Sequence, residues 1–324
     1  MQDPAENINQ AVWFYRDFRT FTGGHLKHAH YFEHVRNFSG FTGKICFSSQ
    51  SEKLSEQRAQ LWSGEPVARW APVAGDILFL GGLDWNYLDQ QKLTQLDLPR
   101  VNLIQHVRHA KPDSELDSFL SRKAIRICVS QEVADAIQST GKVVGPVRVI
   151  PNGIDVDLPE AEQLEKHLNE KAKKNVLIVG YKNPGFSNQL AKVLDEKNIP
   201  YHLSLTMQDR TAFIKQLDGY EVIMCIPHKT EGFYLPALET MARARLLVTM
   251  DCIGNRGFCF SMRNCVLANY SVESALQKIH IALTFSSEKR RSVLNNAVET
   301  ARAFSMQQEA RKFQLLLQDI SELW

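Results

Sequence analysis

No apolar run in this chain of 324 residues approaches the length a helix needs to cross a bilayer. An excess of charge of one sign is missing too. The formal net charge is +2, too close to balance to point to nucleic acid through charge alone. Cysteine is sparse: there are 6, none are spaced C-x-x-C, and several sit in strand-like apolar runs such as 125–129 and 222–226. That excludes a disulfide framework and predicts free, buried thiols in a reducing compartment. The start, Met1 to Gln10, is polar and acidic without the apolar core of a signal peptide. The expected compartment is therefore the cytoplasm, where the acceptor-like triplets at Asn37 and Asn269 carry no glycan. Convincing short repeats and low-complexity segments are absent as well.

What is present is an alternation. Apolar strand-like runs at 11–15, 44–48, 76–80, 101–105, 124–129 and 148–150 are separated by amphipathic stretches, notably 25–37, 54–62 and 131–139. This pattern predicts an α/β fold with parallel strands and helices on both faces. Pro151-Asn152-Gly153 then signals a turn. The charged stretch Pro159 to Lys174 reads as a linker and a solvated helix. After it the alternation restarts, with strands at 176–180, 201–205, 220–226, 246–250 and 265–268. Helices fall at 188–197, 210–217, 235–244 and 272–284, and the tail from Glu288 is helical in pattern. Two doubly wound units are predicted, with ligands at the carboxyl ends of their strands. The expected boundaries are 1–155 for the first domain, 156–305 for the second and 306–324 for a last helix that packs back on the first.

The segment most suggestive of chemistry is Glu231-Gly232-Phe233-Tyr234-Leu235-Pro236-Ala237-Leu238-Glu239. It follows a strand and opens a helix, whose first N–H groups and positive dipole end attract an anion. Pro236 suits a first helical turn. Two carboxylates at this spacing reach different parts of one extended ligand, and a carboxylate accepts paired sugar hydroxyls. A nucleotide sugar supplies hydroxyls, a diphosphate and further hydroxyls.

This segment resembles the E-x7-E signature of retaining GT-B glycosyltransferases, in particular glycosyltransferase family 4. Val147 to Asp155 is similar to that family's V-I-P-N-G-I-D junction. Ile127 to Ser130, Gly254 to Phe258, Asn264 to Leu267 and Thr22 to His25 resemble further family segments in the same order. The resemblance implies a GT-B architecture, two Rossmann-like domains with a cleft between them. It implies a hexosyltransferase-like enzyme that retains anomeric configuration without a catalytic metal or other cofactor. The donor would be a UDP-, GDP- or ADP-sugar, and the acceptor a glycan or glycolipid of cell-surface polysaccharide or lipopolysaccharide synthesis. Peripheral contact with the inner face of a membrane goes with that setting; nucleic acid does not.

Residue by residue, the resemblance implies that Glu239 holds the donor ribose and Glu231 faces the transferred sugar. The amides of Phe233, Tyr234 and Leu235, together with Lys182, would meet the diphosphate, with Gly23 and Gly24 approaching the phosphate from the other domain. His106 would hydrogen-bond donor sugar or acceptor, and His109 competes for that role. The chain departs from the family's pattern in three places. A second cation near Lys182 is missing, with Lys229 and Arg256 as candidates to replace it. Tyr234 stands where a glycine is usual, and Gly254 to Phe258 lacks a carboxylate. Those departures keep two alternatives open: a non-catalytic binding subunit, and an epimerase or phosphorylase on the same architecture. Plainer roles are open to the same residues. Glu231 and Glu239 could be solvated helix acids or salt-bridge partners, Gly23-Gly24 a plain turn, and Trp85 and Tyr87 either acceptor contacts or packing. His25, His28, His30 and His34 are read as packing or surface residues, with His25 able to touch a phosphate. Lys289-Arg290-Arg291 reads as a solvated face.

Overall fold

The computed structural model describes residues 10–51, 55–169 and 175–324. The polar start before Gln10, the first residue of the helix expected at 54–62 and the end of the charged stretch, 170–174, lie outside them. The chain forms two compact units. The first ends at Pro151 and takes in Glu309–Trp324; the second is Asn152–Gln308.

The first unit holds six parallel strands: β1 (Gln10–Arg16), β2 (Phe41–Phe47), β3 (Ile77–Gly81), β4 (Arg100–Ile104), β5 (Ile125–Cys128) and β6 (Val147–Val149). Their order is β2-β1-β3-β4-β5-β6. Alternate residues supply two cores. Trp13, Leu78 and Leu80 face Trp85 and Leu88 of α3 (Asp84–Gln90). On the other face Phe14 meets Phe32, and Phe79 meets Tyr31, from α1 (Gly23–Asn37). The segment around Asp84 is thus a helix, which its tight Gly81-Gly82 lead-in had masked. Trp85 and Tyr87 pack, Tyr87 lying flat on Tyr15 with ring centroids 3.7 Å apart.

A buried ion cluster anchors the returning chain. Glu309, in α12 (Met306–Gln318), takes Lys27 Nζ at 2.5 Å and His34 Nε2 at 3.0 Å. One helical turn further on, Phe313 packs edge-on against Tyr31 at 4.7 Å and seals the cluster. Two histidines of α1 are therefore structural: His34 serves Glu309, and buried His28 accepts from Trp62 Nε1 at 3.1 Å.

The second unit has five parallel strands, β7 (Val176–Val179), β8 (Tyr201–Ser204), β9 (Val222–Cys225), β10 (Leu246–Met250) and β11 (Val266–Ala268). Their order is β11-β10-β9-β7-β8. Val176, Ile178, Val222, Met224 and Val248 face one core, while Leu177, Val179, Ile223 and Leu247 face the other, which also takes Ala237, Leu238 and Met241. β7, β9 and β10 are covered on both faces and read as continuous apolar runs, while the edge strand β8 is partly exposed. Helix α7 (Pro184–Glu196) starts earlier than expected, because Asn183 Oδ1 caps Phe186 N–H at 3.4 Å with Pro184 in the first turn. Lys289-Arg290-Arg291 is not a solvated face. Arg290 is buried on Glu221, Arg291 pairs with Glu165 at 2.6 Å, and Lys289 donates to Met262 O at 2.7 Å. All six cysteines are free and buried. Among the described residues no helix is long and apolar enough to cross a membrane.

In each sheet the chain leaves its first strand for one side and later crosses to the other. The reversal lies between β1 and β3 in the first unit and between β7 and β9 in the second. Loops at the carboxyl ends of such strand pairs diverge, which opens a crevice.

The cluster at Glu309 yields a pH prediction. Burial alone would raise its pKa, but Lys27, with His34, pulls it down to about 2. A depressed carboxyl contributes stability that is present above its unfolded pKa and lost as pH falls through the folded value. Glu309→Gln should cost about 3 kcal/mol near pH 7, as breaking a buried pair does. In urea titrations the gap from wild type should hold above about pH 5 and shrink toward pH 2.

Candidate functional site

In the second unit three loops gather at the carboxyl edge around β7, β8 and β9. The loop after β7 carries Tyr181 and Lys182. That after β8 leads to Arg210, the first residue of α8 (Arg210–Leu217). The third, after β9, runs through Glu231 into α9 (Leu235–Ala242). Lys182 Nζ sits 3.1 Å from Glu231 Oε1. Arg210 Nη1 pairs with Glu239 Oε1.

Glu239 stands out physically. Every residue from Ala237 to Ala242 is buried, and Glu239 itself is 3% exposed. A solvated-acid reading is therefore excluded for it, while the salt-bridge reading holds. Burial pushes its carboxyl pKa upward, and the Arg210 guanidinium opposes that. Burial raises the Tyr181 phenol as well, with Glu239 and Glu231 adding to it, so Tyr181 is a neutral donor beside both acids.

The start of α9 is held by the loop after β10. Ile253 N–H donates to Lys229 O at 3.1 Å and Tyr234 N–H to Gly254 O at 3.0 Å. The Tyr234 amide is therefore committed within the protein, which corrects its expected place among the anion-facing groups. Among the described residues no hydrogen-bond partner appears for the Phe233 and Leu235 amides. The Tyr234 side chain, 1% exposed, turns inward among Cys225, Cys252 and Phe258. A side chain in the glycine's place thus fills core and leaves the front of the helix clear. Gly254 is required by contact: a Cβ there would collide with Phe233 N and lie 2.6 Å from Gly232 C. Neither candidate for the second cation is at Glu239. Arg256 pairs with Asp251 at 2.6 Å, and Lys229 lies over the Tyr270 ring at 4.8 Å. Arg210, which carries no motif, is the residue that sequence reasoning missed.

In the first unit, Gly23 and Gly24 open α1, capped by Thr22 Oγ1, which accepts from His25 N–H at 3.2 Å. A Cβ at Gly23 would meet nothing within 4 Å, and one at Gly24 only ordinary contacts from 3.6 Å outward. Packing within this unit therefore does not demand either glycine. His25 Nδ1 accepts from Arg16 Nε at 3.1 Å, so its neutral form carries the proton on Nε2. Burial, and then the Arg16 charge, lowers its pKa to about 4. His106 and His109 now separate. His109 is buried, and desolvation lowers its pKa to about 3. His106 is half-buried at the carboxyl end of β4, its Nδ1 accepting from Arg108 N–H at 3.0 Å.

At the β1/β3 reversal a pocket of about 400 Å³ is lined by Arg16, Asp17, Gly82, Asp84 and Arg108, with Leu83 and Leu116 on its apolar side. Arg16 and Asp84 neutralise each other at 2.9 Å, Asp84 also accepting from Gly81 N–H at 2.7 Å. Asp17 is matched by Arg19 at 2.8 Å. Arg108 is exposed on this rim. Among the described residues no group of three or more His, Cys, Asp or Glu is placed to hold a metal ion.

The glycines give a paired prediction. Gly254→Ala should cost about 1–3 kcal/mol in thermal or urea unfolding, because backbone must shift to admit the methyl group. Gly24→Ala should change stability by less than about 1 kcal/mol in the same assay, since the space is open and alanine suits a helix.

No protein-family model matches the chain, and no curated protein matches it. Solved structures do. HepE from Anabaena in complex with UDP superposes with a TM-score of 0.70 at 12% identity, covering 96% of this chain and 100% of that one. Sucrose-phosphate synthase from Thermosynechococcus elongatus gives 0.68 at 13% identity, covering 97% and 99%. A glycosyltransferase from Rickettsia africae gives 0.65 at 13% identity, again covering 97% and 99%. At such identities the likeness speaks to architecture. The chain has the GT-B fold, with two Rossmann-like units whose sheets are parallel throughout.

Proposed function

We propose that the chain is a glycosyltransferase that moves a sugar from a nucleoside-diphosphate sugar to a glycan or glycolipid acceptor with retention of configuration. The observation that carries this reading is Glu239, a carboxylate buried in an apolar helix beside a strand reversal, with one oxygen on Arg210. Burying such a charge costs several kcal/mol before pairing, and this one lies beside a strand reversal, where ligands meet sheets of this kind. Its Oε2 suits a ribose hydroxyl pair. The Phe233 and Leu235 amides suit the diphosphate, with Lys182 as its counter-charge and Glu231 turned to the transferred sugar. The two amides and Lys182 would stabilise negative charge on the departing diphosphate, and fixed dipoles and charges of this kind supply much of the rate enhancement in many enzymes. No metal enters this scheme. In the first unit, Gly23, Gly24 and His106 keep the ligand-contacting roles that the family resemblance implies, and the pocket beside Arg108 is assigned to the acceptor.

UDP heads the candidate nucleotides, because HepE is described with UDP and with UDP-glucose; GDP and ADP follow. Assembly of cell-surface polysaccharide or lipopolysaccharide, at the cytoplasmic face of a membrane, is the setting in which we place the reaction. One observation favours a non-catalytic binding subunit instead: both acids are neutralised inside the protein, Glu231 by Lys182 and Glu239 by Arg210.

A thermal-shift screen against UDP, GDP, ADP and CMP tests the reading. One diphosphate should stabilise the protein, by about 2.7 kcal/mol at a hundredfold excess over Kd. Glu239→Ala and Glu239→Gln should cut that gain to about half or less at the same ligand concentration. No shift with any nucleotide at millimolar concentration would contradict a donor site here. Binding without release of UDP from UDP-glucose, with or without acceptor sugars, would favour the binding subunit.

A further inference from the structure

Arg210 lies outside every motif in the sequence, yet it meets the most buried acid of the proposed site. It arrives on its own loop. β8 is the edge neighbour of β7, and Asp209 Oδ1 fixes the start of α8 by accepting from Ala212 N–H at 2.9 Å. The contact with Glu239 is made through Nη1 and Oε1 alone. A bidentate fork, the geometry that best uses a guanidinium, would occupy both carboxylate oxygens. Arg210 Nε is buried and has no hydrogen-bond partner among the described residues. A buried donor left without a partner is costly. A pair built for stability would have turned the fork around; this one leaves Oε2 unused by the arginine and keeps the arginine side chain 26% exposed.

The distribution of cations points the same way. Lys182 is on Glu231, Arg256 on Asp251, and Lys229 over Tyr270. The cation at Glu239 therefore comes from the β8 loop and not from the β7 loop. A carboxyl this deep, on a helix buried from Ala237 to Ala242, needs a fixed counter-charge to remain ionised. An ionised carboxylate takes two hydroxyls, whereas a protonated one loses acceptor capacity and presents its own O–H.

We propose that Arg210 is the positioning residue of the donor site: it holds Glu239 by Oε1 as a carboxylate, so that Oε2 accepts from the ribose diol of a nucleoside diphosphate. Resting on the glycosyltransferase reading, this narrows the ligand to one with an intact ribose. Recognition of ribose over deoxyribose then runs through Arg210 although Glu239 makes the contact. The pH sign follows. The binding form is the carboxylate, so affinity falls as pH drops through the Glu239 pKa, and removing the arginine moves that fall to higher pH.

The experiment measures Kd for UDP and 2′-deoxy-UDP by calorimetry between pH 5.5 and 8.5. It uses wild type, Arg210→Met, Arg210→Lys, Glu239→Gln and the double variant Arg210→Met with Glu239→Gln. Wild type should prefer UDP by about tenfold, the worth of one good hydrogen bond. In Arg210→Met the preference should fall below about twofold near neutral pH, and the midpoint of the pH dependence should rise by about one unit or more. Arg210→Lys should restore most of both. In the Glu239→Gln background, removal of Arg210 should change UDP affinity less than about twofold, because the effect acts through the acid. A uniform loss of UDP affinity at every pH, with the ribose preference intact, would overturn the proposal and leave Arg210 a plain phosphate cation or a structural brace. Wild-type binding of UDP that Arg210→Met leaves unchanged would overturn this proposal alone. Failure of wild type to bind any nucleoside diphosphate would overturn the glycosyltransferase reading with it. Arg210→Lys and the melting curves guard against a variant that does not fold.

Discussion

Every strand in both sheets runs parallel to its neighbours, and that constraint decides where chemistry is available. A parallel strand cannot turn straight back into the next one, so each connection crosses a face of the sheet as a helix or long loop. Both faces are then covered and apolar, and the polar groups that remain free to meet a ligand collect at strand ends. In the second unit the carboxyl ends of β7, β8 and β9 deliver Lys182, Arg210 and Glu231, and α9 then carries Glu239. In the first, the ends of β1, β3 and β4 deliver Arg16 with the Gly23-Gly24 start of α1, then Gly82 and Asp84, then His106 and Arg108.

The two edges handle charge differently. In the first unit Arg16 and Asp84 cancel within the pocket wall, which leaves Arg108 to set the sign of the rim. The second unit places its acids against cations drawn from other loops: Lys182, after β7, meets Glu231, and Arg210, after β8, meets Glu239. Gly254 belongs to the same arrangement, since its missing Cβ lets the loop after β10 press on the Gly232-Phe233 peptide and fix where α9 begins. Helix start, buried acid and distant cation form one unit of structure in which a change at any member is felt by the others.

Much of this was legible in the sequence. The alternation of apolar runs and amphipathic stretches located the eleven strands of the described residues. Central strands such as Ile77–Gly81, Val176–Val179 and Val222–Cys225 are buried throughout and leave apolar signatures, while Phe41–Phe47 and Tyr201–Ser204 at sheet edges are partly exposed and more polar. The Glu231 to Glu239 segment was legible because a helix start after a strand has a recognisable punctuation of glycine, proline and acid. What escaped depends on contacts distant in sequence. Arg210 opens an ordinary-looking helix, and only the three-dimensional meeting with Glu239, twenty-nine positions on, marks it. The commitment of the Tyr234 amide to Gly254 has no local signal either. Nor do the burial of His109 beside the half-buried His106, or the use of Arg290 and Arg291 as internal ion-pair partners. The α3 helix was missed because Gly81-Gly82 and a short seven-residue length gave it the look of a loop.

The most direct test of the proposed donor site is a crystal structure of the protein soaked with UDP. The diphosphate should lie at the Phe233 and Leu235 amides near Lys182, with the ribose hydroxyls on Glu239 Oε2 and Arg210 still on Oε1. UDP bound elsewhere, or at this edge with Glu239 untouched by the ribose, would contradict the assignment.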